Sequence, residues 1–140
     1  MEKIFSYAEL SRFTKDVFRS IHFSEEDAER AATVLLRADL RGIDSHGIAR
    51  LTGYVRLWEA KRANSRPQIK IVHETPSTGV VDGDSGLGLV VAPFAMDLAI
   101  QKAKAVGSGW VAVRNSNHFG IAAQHAMMAL EEDMIGMVMT

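Results

Sequence analysis

The chain has 140 residues and no cysteine, and its sixteen basic side chains against seventeen acidic ones leave a formal charge of -1. That length suits about one domain, and 47% hydrophobic with 24% charged residues is the composition of an ordinary globular protein with a real core. The same figures exclude a disulfide framework, a thiolate metal site, an iron-sulfur cluster and a cysteine nucleophile, and the even charge balance argues against nucleic acid or a membrane surface as partner.

The first half reads as helical. MEKIFSYAEL lacks the basic-then-apolar pattern of a secretory leader, so a cytoplasmic location is expected. Tyr7, Leu10, Phe13, Val17 and Phe18 form an apolar stripe that predicts a helix over residues 7–20. Ser24, followed by Glu25, Glu26 and Asp27, predicts the capped start of a second helix, which AERAATVLLRADLR continues until Gly42. IDSHG then bridges to a third helix with Ile48, Leu51, Tyr54, Val55 and Trp58 on one face, ending at the loop residues Asn64, Ser65 and Pro67.

The second half changes period. IKIVH (69–73) and TGVVD (78–82) read as strands, residues 90–106 as a helix, and WVAVR (110–114) as a strand. HFGIAAQHAMMALEED (118–133) reads as a helix and IGMVM (135–139) as a final strand. The most apolar run, LGLVVAPFAM, is ten residues long and holds Pro93, too short to span a bilayer. The alternation predicts an α/β fold: N-terminal helices followed by βαβαβ units with parallel strands. Because the last strand runs to Thr140 with nothing after it, the sequence is expected either to pair that edge elsewhere or to be the N-terminal portion of a longer protein.

Glycines at 83, 86 and 88 are ordered G-x-x-G-x-G, the reverse of the dinucleotide fingerprint. The expectation is therefore a glycine-rich strand-to-helix turn, with Asp84 or Ser85 near the helix cap. Of the five histidines, His22, His73 and His125 read as surface or packing residues, and no spacing suggests a metal site.

His46 and His118 both fall in loops beside element ends. His118 follows a predicted parallel strand within VRNSNHFGI, where open α/β sheets hold their ligands. His46 follows Asp44 and Ser45, and Arg50 lies one helical turn further on. A guanidinium grips a carboxylate with two parallel hydrogen bonds, while an imidazole exchanges a proton with an oxygen on the adjacent carbon. Together they suit the interconversion of 2-hydroxy and 2-oxo acids. The spacing equally allows Asp44 or Ser45 to cap the helix, with Arg50 merely solvated.

RADLRGIDSHGIARL together with VRNSNHFGIA resembles the N-terminal part of the type-2 malate/L-lactate dehydrogenase family, to which ureidoglycolate dehydrogenases and diketogulonate reductases are similar. The likeness runs in order through the chain, including DGDSGLG and IGMVMT. It implies a non-Rossmann dehydrogenase fold, dependence on NAD or NADP, a 2-hydroxy or 2-oxo acid such as malate or lactate as substrate, and a homodimer. It also implies roles. His46 matches a proton donor or acceptor, Arg50 a carboxylate ligand, and Tyr54 a residue lining the same pocket. His118 matches a second active-site histidine, acid/base in some branches, and with Thr140 it falls on the cofactor side. Residues 1–66 then form a helical region carrying the substrate loop, and residues 67–140 the first part of the cofactor-binding domain. Since most cofactor contacts are expected beyond Thr140, the alternative is a truncated, non-catalytic homologue acting as an oligomerisation or small-acid-binding module.

Overall fold

A computed structural model describes residues 4–140. Helix α1 spans Tyr7–Ser20 and α2 spans Glu25–Asp39. Ser6 and Glu9 close a reciprocal capping box on α1, in which the Ser6 hydroxyl accepts the Glu9 N–H and the Glu9 carboxylate accepts the Ser6 N–H. Ser24 caps α2 by accepting the Asp27 N–H at 3.1 Å, as the run of acids after it predicts. The two helices pack together, and Lys15 reaches Glu29 at 2.7 Å across them. Two short 3-10 turns, Asp44–His46 and Ile48–Arg50, lead into α3, Leu51–Glu59.

Three strands follow: β1 (Lys70–Glu74), β2 (Thr78–Gly86) and, after helix α4 (Gly88–Val106), β3 (Trp110–Ser116). The sheet order is β1-β2-β3. The β1–β2 pair is an antiparallel hairpin, and β2 and β3 are parallel, joined through α4. Helix α4 carries Pro93 within its early turns and ends at Gly107, whose φ of 87° supplies the left-handed cap. Its Lys102, almost fully buried, donates to the Glu74 carboxylate at 2.9 Å and to the Thr75 carbonyl at 2.7 Å, fastening the hairpin to the helix.

Phe18, Phe23, Ala31 and Leu35 from the helical hairpin, Leu51 and Tyr54 from α3, and Leu87, Leu89 and Val90 at the start of α4 form one buried cluster. The helical hairpin, α3 and the start of α4 are therefore joined by shared apolar burial, the dominant favourable term in folding. Much of the sheet is open to solvent: every residue of β1 is exposed, as are Trp110 and Val113 of β3.

The α/β class holds, with three corrections. Residues 135–139 form no strand. Asp133, at φ 55°, ends the preceding 3-10 turn, and Gly136 lies so close to the Ala126 carbonyl that a Cβ would overlap it. The segment is thus turned back toward α5 and meets no strand edge, and Ile135, Met137 and Met139 face outward. The helix expected over 118–133 is shorter, with α5 covering Ala122–Ala126 and a 3-10 turn covering Met127–Glu132. Gly120 at φ 78° and the extended Ile121 keep residues 118–121 out of it. Finally, neither Asp84 nor Ser85 caps α4. Both sit inside β2 at left-handed φ values of 49° and 58°, where β2 bulges against β3, and the N-cap is Leu87 with no side-chain bond.

Candidate active site

Two loops build the site. The first joins α2 to α3. Its reversal uses Gly42 at φ 69°, after which the 3-10 turn places His46 half-buried with the Ser45 hydroxyl 3.0 Å from Nδ1. Arg50 donates from Nε to the Ser45 carbonyl at 2.7 Å. Among the described residues its two terminal NH2 groups have no protein partner, so the fork that grips carboxylates faces solvent. Neither Asp44 nor Ser45 caps α3, whose N-cap is Arg50 without a side-chain bond. That removes the plain-cap reading of the loop.

The second loop follows β3 and is held by the glycine-rich segment. Asn117 donates its N–H to the Gly86 carbonyl at 3.2 Å and its side-chain amide to the Ser85 carbonyl at 2.9 Å. Asn115, itself at φ 51°, bonds Asp82 and accepts from Ser85, each at 3.0 Å. A Cβ at Gly88 would overlap the Asn117 carbonyl and Phe119, and one at Gly83 would crowd the Asn115 carbonyl. These glycines make room for the histidine loop.

The loops meet at His118. The Gly120 N–H points at its Nδ1 at 3.2 Å, and the Tyr54 hydroxyl lies 2.7 Å from the same atom. An N–H can only donate, so Nδ1 is an acceptor, Tyr54 donates to it, and the neutral ring carries its proton on Nε2. The His46 and His118 rings stack with centroids 5.5 Å apart and planes 29° from parallel. Partial burial lowers the pKa of His118, and the positive charge of Arg50 and then His46 lower it further. Burial pushes the Tyr54 phenol up to about 12 against the opposing pull of Arg50, so it remains a proton-bearing donor at neutral pH.

The sequence-derived set of His46, Arg50, Tyr54 and His118 therefore comes together from α3 and the loops flanking α3 and β3. Thr140 does not join it through any hydrogen bond among the described residues, and its side chain is exposed. His22 stacks edge-on against Trp58, and His73 is exposed on β1. His125 is buried, 1% exposed, and donates from Nε2 to the Phe119 carbonyl at 2.7 Å, bracing the residue after His118. Burial lowers its pKa, with that bond partly offsetting the effect. Asp39, whose Oδ2 accepts the Ile48 N–H at 2.8 Å, is a site neighbour that motif spacing does not reveal. Two surface grooves, around Trp58, Lys61 and Asn64 and around Gln68, Lys70 and Asp84, include none of the four residues, whose face is open.

The chain as a whole has counterparts. Residues 5–140 match the family model described as malate/L-lactate dehydrogenase. The malate dehydrogenase of Pyrococcus abyssi is 52% identical over 132 residues, covering 94% of this chain and 36% of that protein. The L-sulfolactate dehydrogenase of Methanocaldococcus jannaschii is 50% identical over 125 residues, covering 89% of this chain and 36% of that protein. The solved sulfolactate dehydrogenase from Methanocaldococcus jannaschii superposes with a TM-score of 0.92 at 46% identity, covering 94% of this chain and 38% of that one. An α/β chain with this paired-histidine face, matched by the family model almost end to end, belongs to the malate/L-lactate dehydrogenase family. It spans a little over a third of the length of these relatives.

Proposed function

We propose that this chain supplies the substrate side of an NAD- or NADP-dependent oxidoreductase acting on a 2-hydroxy or 2-oxo acid, malate being the reference substrate. The observation that carries the reading is the outward fork of Arg50 beside the stacked rings of His46 and His118. The fork receives the substrate carboxylate. His118, fixed as a neutral Nε2–H donor by Gly120 and Tyr54, hydrogen-bonds the oxygen on the adjacent carbon. Taking a proton at Nε2 would demand a proton shift at Nδ1, where a backbone N–H already points. His46 meets no such block, since the Ser45 hydroxyl rotates to donate or accept. His46 is accordingly the proton-exchanging group, taking the hydroxyl proton during oxidation and returning it during reduction.

The nicotinamide nucleotide, when bound, supplies the hydride acceptor or donor. The residues of this face fit the reacting end of such a cofactor, with polar groups converging on one open surface. Within this reading most phosphate and ribose contacts, and with them the choice of nucleotide, come from further polypeptide of a homodimeric protein, as the family likeness implies. No helix among the described residues is long and apolar enough to cross a membrane.

The test is L-malate binding to the chain, followed by calorimetry, for the unaltered protein and for Arg50→Ala. Loss of a charge-assisted carboxylate grip of about 1.5–3 kcal/mol weakens binding about 10- to 100-fold. Equal affinity in both proteins would overturn the assignment. Malate binding without any NADH or NADPH binding, in every longer polypeptide that carries the segment, would favour the small-acid-binding module.

A further inference from the structure

Asp39 stands where its helix gains least from it. It is the last residue of α2, at the negative end of the helix dipole. It is half-buried, and among the described residues no lysine or arginine pairs with it. Burial pushes its carboxyl up from the ordinary range, the Ile48 N–H pulls it back, and the neighbouring Asp44 charge raises it again. Each of these conditions is unfavourable for a carboxylate whose only purpose is to end a helix.

What it touches is the loop of the first histidine. Its Oδ2 accepts the Ile48 N–H at 2.8 Å, and its carboxylate lies so close over Gly47 that a Cβ there would overlap Oδ1, Cγ and Oδ2. Gly47 has φ -88° and ψ -146°, and the Asp39 carboxylate occupies the space a Cβ would need there. The two residues so clamped lie between His46 and Ala49, one step before Arg50.

We infer that Asp39 is a positioning residue for the proposed substrate site: its carboxylate, seated against Gly47 and bonded to Ile48, sets where the His46 ring and the Arg50 fork stand relative to His118. This rests on the substrate reading of the site for its consequence, though not for its geometry. Asp39→Ala removes the clamp. Asp39→Asn keeps an oxygen that accepts the Ile48 N–H. Gly47→Ala leaves the carboxylate in the chain but displaces it by volume.

The experiment is NMR on the 140-residue chain, reading the ring-to-ring contact of His46 and His118, with L-malate as the added probe. Asp39→Ala and Gly47→Ala are expected to abolish the ring contact and to weaken malate binding about tenfold, the effect of losing one well-placed polar contact. Asp39→Asn is expected to restore both readouts. Adding Gly47→Ala to Asp39→Ala should then change little, because the alanine methyl enters space the carboxylate has left. A merely structural aspartate would lower the melting temperature in Asp39→Ala while leaving the ring contact and malate affinity intact, and that result overturns the inference. Should Asp39→Ala fail to fold, an unchanged ring contact in Gly47→Ala overturns it equally. If the unaltered chain binds no malate, the substrate reading fails, and the ring contact alone decides whether Asp39 clamps the loop.

Discussion

The two histidine loops are placed by opposite means. The His118 loop is held by volume: Gly83 and Gly88 leave no room for side chains, and amide-to-carbonyl bonds from Asn117 fill the gap. The His46 loop turns off the end of α2 on backbone bonds and is then fastened back to it by one side chain, Asp39, with Ser45 and Arg50 bonding locally inside the loop. The first scheme fixes a tautomer, because a backbone N–H points at the ring. The second leaves a rotatable hydroxyl at the ring, which suits a group that must both take and give a proton.

Substitutions can break that contrast. His46→Ala in a polypeptide that turns malate over should lower kcat about 10²- to 10⁴-fold, the usual contribution of one acid/base group. His118→Ala should raise KM as well, since it removes a hydrogen bond to bound substrate. Equal, purely kcat losses in the two variants would refute the division of labour, and steady-state kinetics reads it directly.

Gly88→Ala should destabilise the fold by about 1–3 kcal/mol, because the new methyl meets backbone and not a flexible side-chain end. Urea unfolding measures it, and Gly53→Ala, where a Cβ meets nothing within 4 Å, is the control. A smaller effect is expected from pH. His118 and His125 both have folded pKa values below the ordinary 6.5, so their contribution to stability is complete above that value and is lost as pH falls through their folded values. Asp39 runs the other way: its pKa is raised, so its contribution is present in acid and lost as pH rises through the folded value. Asp39→Asn should therefore be slightly more stable than the parent near neutral pH and lose that advantage in acid, below the ordinary carboxylate range. Melting curves across that range would expose a reversed sign.

Much of this was legible in the residues, for identifiable reasons. The α1 and α2 helices follow from apolar periodicity and, for α2, from Ser24 and its acids, all local signals. The pairing of His46 with His118 required two motifs far apart in the chain, and only the family likeness linked them. Residues 135–139 misled because a strand pattern says nothing about a partner, and Gly136 against Ala126 is a contact no periodicity encodes. Asp84 and Ser85 looked like cap residues by type, yet the cap position was decided by a bulge in β2. Asp39 was invisible as a site residue because its partner, the Ile48 N–H, is backbone and carries no sequence signature.

The buried lysine beneath the β-hairpin makes the protein chemically uneven. An amine-modifying reagent meets Lys61 and Lys70 as freely exposed nucleophiles, but the Lys102 ammonium is held by Glu74 and the Thr75 carbonyl and hidden from the reagent. Its modification rate is set by how often the hairpin lifts from α4. That one side chain is a built-in clock for local opening of the sheet, readable by mass spectrometry without any label being engineered.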